Sequence, residues 1–338
     1  MSRAGRERRS GMACGGKRVA GVLVLLVVTG FRRGIGVALG PLVLLVVAGC
    51  GVRGWEVTAG PASGLPFVGG GPVCVEVGER IALPEVLHES SGVAPSADGR
   101  FLWSHNDSGH TNELFALSLE GALLGRVEVT GAENVDWEDL AAGPCDDGAW
   151  CLYIADLGDN LERRRDPAIY RVREPDPGAA ATEPAERFPI RLPHGPRDVE
   201  ALYLLPGERL FFVTKGRNDP LELYRVPPLE APGRPLVPER IQRLGRVSLP
   251  GMVTGAAATS DGSRVAIRSY ETLEFFRPDD EGLLVPEGGG RVNLRPLREP
   301  QGEAVTFLDP ESLVLTTEAG PGLQVGGMRR LHCPVPQP

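Results

Sequence analysis

The chain has 338 residues, 42% of them hydrophobic and 24% charged, with 45 Gly, 31 Pro and a formal net charge of −8. Residues 1–49 hold eight basic residues and one acid, leaving 28 basic and 43 acidic residues on the remainder, a net charge of −15. A surface that acidic repels phosphate backbones and anionic headgroups, which excludes a nucleic-acid partner and suits a cation.

Two apolar runs open the chain, residues 19–30 and 34–49. Both fall short of the roughly 18–20 residues a spanning helix needs. The second follows Arg32-Arg33 and ends Val47-Ala48-Gly49-Cys50, small residues leading into a cysteine. This predicts a lipoprotein signal peptide over 1–49 with Cys50 as the acylated residue. The tandem arrangement suggests that the true signal starts near Phe31, and a plain N-terminal anchor is the alternative reading. Residues 50–72, rich in Gly and Pro, are expected to be a tether, and 73–338 the folded domain. The expected setting is the cell envelope, facing periplasm or exterior, with membrane contact only through the lipid.

From residue 73 on, one cycle recurs five times: a short apolar strand, a Gly/Asp turn and a second apolar strand ending in a polar cluster. The copies are SSGVAPSADGRFLWSHND (90–107), DWEDLAAGPCDDGAWCLYIAD (136–156), DVEALYLLPGERLFFVTKG (198–216), VTGAAATSDGSRVAIRSYE (253–271) and QGEAVTFLDPESLVLTTEAG (301–320). Repeats of about 45–60 residues made of short strands indicate an all-β fold, a β-propeller. Third strands are predicted over 113–119, 168–173, 221–226, 272–277 and 323–328. Fourth strands are predicted at GRVEVTG (125–131), ERFPIRL (186–192), GRVSL (245–249) and GRVNLRPL (290–297). The fifth copy lacks a fourth strand, while VEVGERIAL (75–83) precedes the first copy and matches the pattern. A five-bladed ring closed by an N-terminal strand in the last blade follows, with six blades as the alternative count; the expected state is a monomer.

Six cysteines are present. Cys14 leaves with the signal and Cys50 takes the lipid, so four remain for two disulfides. Cys145 and Cys151 flank an Asp-Asp-Gly turn and suit a hairpin bridge. Cys74 and Cys333 then join the two ends of the ring.

In a propeller the starts of innermost strands and the ends of second strands gather at one mouth of the central channel. The starts bring Asp136, Glu138, Asp139, Asp198, Glu200 and Glu303; the ends bring Asp156, Asp159, Lys215 and Arg268. Crowded carboxylates repel one another unless a cation neutralises them, and hard oxygen donors suit Ca²⁺. Acids at strand starts also serve to pair neighbouring blades, and that reading stays open. Lys215 is the only lysine beyond the signal segment. With Arg268 it is the candidate for holding an anionic ligand and stabilising charge in a reaction, or alternatively a salt-bridge partner of Glu200 or Glu222. His105 and His110 share a polar loop, but no Ser or Cys nucleophile motif accompanies them.

The segments ENVDWEDLAAG (133–143), YIADLGDN (153–160), DVEALYL (198–204) and QGEAVTF (301–307) together resemble the phytase-like β-propeller group of exported bacterial proteins, over most of 85–331. The resemblance implies Ca²⁺ ligands at Asp136, Asp198, Glu200 and Glu303, and a phosphate contact at Lys215. True propeller phytases have six blades and several site lysines, so the chain looks more like an uncharacterised branch of the group. Two functions follow: a metal-assisted phosphoric ester hydrolase acting on a small anionic substrate, or a non-enzymatic surface module for a sugar, peptide or protein partner.

Overall fold

The computed structural model describes residues 67–68, 74–145, 147–244, 252–320 and 325–336. The expected signal peptide, the expected acylation site Cys50 and most of the expected tether lie outside these residues. Apart from one 3-10 turn at Arg295–Leu297, every regular element among the described residues is a strand.

Five antiparallel sheets follow one another along the chain. Blade 1 runs Ser90–Pro95, Phe101–Asn106, Glu113–Ser118 and Leu123–Glu128 from the axis outward. Blade 2 is Trp137–Pro144, Trp150–Asp156, Ala168–Arg173 and Glu186–Pro189, and blade 3 is Val199–Leu205, Arg209–Thr214, Glu222–Arg225 and Glu239–Arg243. Blade 4 comprises Val253–Ala258, Val265–Ser269, Thr272–Pro278 and Leu284–Asn293, and blade 5 Gly302–Phe307, Ser312–Thr317 and Gly327–His332. Each inner strand packs on the next, and the inner strand of blade 5 packs on that of blade 1, so the ring closes at five.

The N-terminal segment closes the last blade, but not as one strand. Val75–Glu76 pairs with Leu331 and His332, whereas Ile81–Ala82 pairs with Gly327 and Met328. The disulfide Cys74–Cys333 locks this closure, and Cys145–Cys151 bridges the blade 2 hairpin. Three expectations shift. The third strand of blade 5 is Gly327–His332 rather than 323–328, and the outer strand of blade 3 is Glu239–Arg243, upstream of residues 245–249, which lie outside the described residues. Phe67–Val68, expected within the tether, adds a strand to the edge of blade 4 opposite Arg291 and Val292.

The strands alternate so that each blade turns apolar side chains to both neighbours, and five separate cores result. Trp103, Trp137 and Ile154 fill the interface of blades 1 and 2; Tyr153, Phe212 and Tyr224 that of blades 2 and 3; Tyr203, Phe211 and Ile267 that of blades 3 and 4. Phe275, Phe307 and the Cys74–Cys333 bridge join blades 4 and 5, and Leu102, Phe115 and Val314 join blades 5 and 1. Burying each such side chain is worth about 1.5–3 kcal/mol, so most of the stability lies between blades rather than within them. The two indoles of the blade 1–2 core keep their polar handles paired, Trp103 Nε1 donating to Glu174 at 2.8 Å and Trp137 Nε1 to the Glu133 carbonyl at 2.9 Å.

Candidate functional site: the carboxylate mouth

Every inner strand carries a register shift against its second strand near its start. The extra residues are Ser91, Glu138, Glu200 and Thr254 in blades 1 to 4, and Glu303–Ala304 faces Thr316 in blade 5. A bulge re-aims one side chain and leaves it outside the ladder. Repeated five times, it sets Ser91, Glu138, Glu200, Thr254 and Glu303 as equivalent positions around one mouth. Two of them spend their hydroxyls between blades: Ser91 Oγ donates to the Glu138 carbonyl at 2.6 Å, and Thr254 Oγ1 to the Glu303 carbonyl at 3.0 Å. The other three are buried carboxylates.

One step further in, blades 1, 2, 3 and 4 place Gly92, Asp139, Ala201 and Gly255 next to the bulge. A Cβ on Gly92 would lie 2.6 Å from Leu140 N, and one on Gly255 2.8 Å from the Glu303 carbonyl oxygen, so the inner strands approach too closely there for any side chain. The small residues leave space on the axis for Asp139. Its carboxylate accepts from Leu140 N at 2.8 Å, from Leu202 N of blade 3 at 2.8 Å and from Ala256 N of blade 4 at 3.1 Å. Asp139 is therefore an axial tie among three blades and not a mouth ligand, a correction to its expected metal role. Burial pushes its carboxyl well above the ordinary range, and the three N–H donors oppose that shift.

Two further expected ligands are also engaged. Asp156 accepts from Asp136 N at 2.9 Å and from Arg164 Nη2 at 2.7 Å, and Asp159 accepts from Arg164 N at 2.6 Å. Both acids fold the Arg163-Arg164-Arg165 loop against blade 2. Arg268 departs most from expectation. Fully buried between blades 4 and 5, it donates to the carbonyls of Ala304 (2.8 Å) and Thr316 (3.0 Å) and pairs with the buried Glu299. A guanidinium so enclosed meets no ligand, and the expected catalytic or anion-clamping role is corrected to a structural one.

Of the remaining expected ligands, Asp136, Glu138, Asp198 and Glu200 converge, whereas Glu303, buried at its own bulge, joins no such cluster among the described residues. Asp107, Asp136 and Glu138 each offer an oxygen within 4.8 Å of the others, and so do Glu138, Asp198 and Glu200, with Glu138 shared by both groups. Asp107, at a second-strand end, is the member that strand starts alone do not reveal. Lys215 lies among them at 5% exposure, pairing with Glu200 and standing 3.7 Å from Asp198 Oδ2. It is the salt-bridge partner of Glu200, not of Glu222, which Arg240 holds at 2.7 Å. Asp198 Oδ1 accepts from Asp159 N at 2.9 Å, whereas Oδ2, buried, accepts no hydrogen bond.

The electrostatics follow from burial. Desolvation, then repulsion from Asp107, pushes Asp136 up to about 6. Desolvation likewise raises Glu200 to about 8 against the pull of Lys215, and Glu318 to about 8 with repulsion from Asp107 and Glu89. Glu138 and Glu303 are held well above the carboxylate range by desolvation and then by Glu200. Burial opposes the charge on Lys215, but Glu200, Glu138 and Asp198 outweigh it and hold the ammonium above ordinary lysine. One ammonium therefore serves a ring of carboxylates.

No protein-family model matches the chain, and no curated protein matches it in sequence. Solved structures resemble its backbone. The PQQ-bound aldose sugar dehydrogenase of Streptomyces coelicolor aligns at TM-score 0.48 and 14% identity over 79% of this chain and 99% of its own. The apo-form soluble aldose sugar dehydrogenase of Escherichia coli aligns at 0.46 and 12% over 76% and 99%, and the calcium-binding protein regucalcin of Agrobacterium tumefaciens at 0.38 and 13% over 80% and 97%. Likeness of this degree assigns no chemistry to this chain.

Proposed function

We propose that the protein is an exported, lipid-anchored propeller of the cell envelope that holds Ca²⁺ at its carboxylate mouth and presents a small anionic substrate to that ion. The observation that carries this reading is Asp198 Oδ2, a buried carboxylate oxygen that accepts no hydrogen bond and sits in a cluster with Glu138 and Glu200. A buried carboxylate oxygen left without a donor is costly; Lys215, drawn to Glu200, stays 3.7 Å away, beyond hydrogen-bond reach, and a bound cation would remove the cost. The donor set fits the ion: all oxygen, drawn from several loops, and more numerous than Lys215 can neutralise. Two disulfides suit an oxidising compartment.

A bound Ca²⁺ would supply Lewis-acid polarisation of a substrate oxygen. The chain's own groups divide the rest of the work. Lys215 keeps the inner acids from mutual repulsion. Glu318, pushed up to about 8 and outside the ligand clusters, holds a proton at neutral pH that a departing oxygen can accept. A phosphate ester is the first substrate class to test, on the strength of the phytase-like segments. One observation favours the non-enzymatic reading: with Arg268 enclosed and Lys215 engaged by Glu200, an anion would meet its positive charge chiefly in the metal, and a neutral sugar bound through Ca²⁺ would need no basic group.

The test is calorimetry of chelator-stripped protein titrated with Ca²⁺, alongside Asp198→Asn and Glu200→Gln. Binding that both variants weaken by at least about tenfold supports the site, and Ca²⁺-dependent turnover of a phosphate ester supports the enzyme. Absence of binding leaves the carboxylates as blade-pairing groups and removes the proposal.

A further inference from the structure

At the rim of the carboxylate mouth, next to Asp107, the run into blade 1 carries a donor set of a different kind. We infer that His88, Glu89 and His110 form a second metal site, selective for a borderline divalent ion of the Zn²⁺ type, with one coordination position open to solvent. The three side chains offer ligand atoms within 4.8 Å of one another. His110 Nε2 lies 2.6 Å from Glu89 Oε2, and the two imidazoles meet edge to face with centroids 4.9 Å apart.

The backbone beneath them is pinned from three sides. Ala319 N donates to the His88 carbonyl at 2.7 Å, Asp107 N to the Glu89 carbonyl at 2.9 Å, and Glu89 N to Asn106 Oδ1 at 3.1 Å. Asn106 Nδ2 in turn donates to the Val86 carbonyl at 2.8 Å. Blades 1 and 5 thus preorganise the segment before any ion arrives.

The His88 ring is oriented as a ligand. Its Nδ1 stands 3.1 Å from the Glu85 carbonyl, which can only accept, so Nδ1 carries the proton and Nε2 presents its lone pair. An imidazole that donates its other N–H to a carbonyl is the usual outer-shell arrangement of a metal-bound histidine. Two imidazoles and a carboxylate are three protein ligands for tetrahedral Zn²⁺, and a fourth position remains for water or a ligand oxygen. Imidazole nitrogen also separates this site from the mouth, because Ca²⁺ takes oxygen donors and nitrogen favours zinc-like ions. Access is open: the side chains of His110 and Glu89 are 27% and 38% exposed.

The experiment uses full-length protein stripped with chelator and titrated with Zn²⁺, and in parallel with Co²⁺, whose visible absorption reports tetrahedral nitrogen ligation. One equivalent of Zn²⁺ should bind and persist in excess Ca²⁺. His88→Ala and His110→Ala should each weaken it at least about tenfold and abolish the Co²⁺ bands, while Glu200→Gln leaves both unchanged. His110 belongs to a partly exposed loop, so its removal keeps the test readable if His88→Ala disturbs the fold, and melting curves verify both variants. Zn²⁺ affinity indifferent to both histidines, or lost in Glu200→Gln and kept in His110→Ala, overturns the inference. So does the absence of any Zn²⁺ binding, which reduces the cluster to a hydrogen-bonded His110–Glu89 pair.

Discussion

Asp139 offers the sharpest separation between a structural acid and a ligand. Its Oδ2 accepts from Leu202 N at 2.8 Å and Ala256 N at 3.1 Å, tying blades 3 and 4 to blade 2 on the axis. Asp139→Ala removes the acceptor for two buried interblade N–H groups and, through Oδ1, for Leu140 N at 2.8 Å. A buried donor left unsatisfied costs about 1–3 kcal/mol, so the two interblade donors and the small cavity together predict about 3–6 kcal/mol of lost stability. The lower end applies if water enters the vacated space. For a domain of this size that corresponds to a melting temperature lower by roughly 6–20 °C. Asp139→Asn keeps one acceptor oxygen but points an amide N–H₂ at a donor, so it should fall between wild type and Asp139→Ala. Urea unfolding gives the free energy, and calorimetry with Ca²⁺ on the folded variant gives the affinity. Stability should fall while Ca²⁺ affinity stays within about twofold. A loss below about 1 kcal/mol would refute the axial tie, and a large loss of Ca²⁺ affinity from a well-folded variant would restore Asp139 as a ligand.

The two disulfides should differ in worth because their loops differ. Cys74–Cys333 closes a separation of 259 residues and Cys145–Cys151 one of six, which in the chain-entropy account is at most about 5 kcal/mol against about 2. Replacing Cys74 and Cys333 by Ser should lower the melting temperature clearly more than replacing Cys145 and Cys151, and equal effects would contradict ring closure by the first pair. The mouth sets a pH dependence as well. Glu200 and Glu318 titrate at about 8 and Asp136 at about 6 in the fold, all above their ordinary values, so the native state holds protons that the unfolded chain has released. Their stabilisation is complete below about pH 4 and is lost as pH rises through 6 to 8. Chelated protein should therefore melt at progressively lower temperature across that window, and Ca²⁺ should flatten the slope. A melting temperature that rises from pH 6 to 8 without metal would count against the carboxylate ring.

The propeller was legible in the chain because each blade repeats a period-two apolar pattern with Gly/Asp turns, and such patterns depend only on neighbours in sequence. Blade number, closure by the N-terminal segment and both cysteine pairs followed from counting strands and loops. The faults lay where pairing partners decide. Val75–Glu76 and Ile81–Ala82 read as one strand because register between chain ends carries no local signal. Phe67–Val68 read as tether because its partner is more than 220 residues away. Which acids share the mouth was legible as a class of positions, strand starts and second-strand ends, but not one by one. The five bulges have a faint trace in sequence, a polar residue followed by a small one in Ser91-Gly92, Glu200-Ala201, Thr254-Gly255 and Glu303-Ala304. That trace breaks at Glu138-Asp139, where an acid replaces the small residue and turns inward to the axis.

Sequence by itself determined the fold class, the ring order and the acidity of one mouth, since each rests on local periodicity and on charge. Only the tertiary structure decided which charged groups face that mouth and which are enclosed between blades. Lys215 and Arg268 both stand near the ends of second strands, yet Lys215 meets Glu200 and Asp198 at the mouth while Arg268 meets Glu299 and two carbonyls inside the blade 4–5 interface. The physical reason is that the role of a buried charge is set by the partners that neutralise it, and those partners come from other blades.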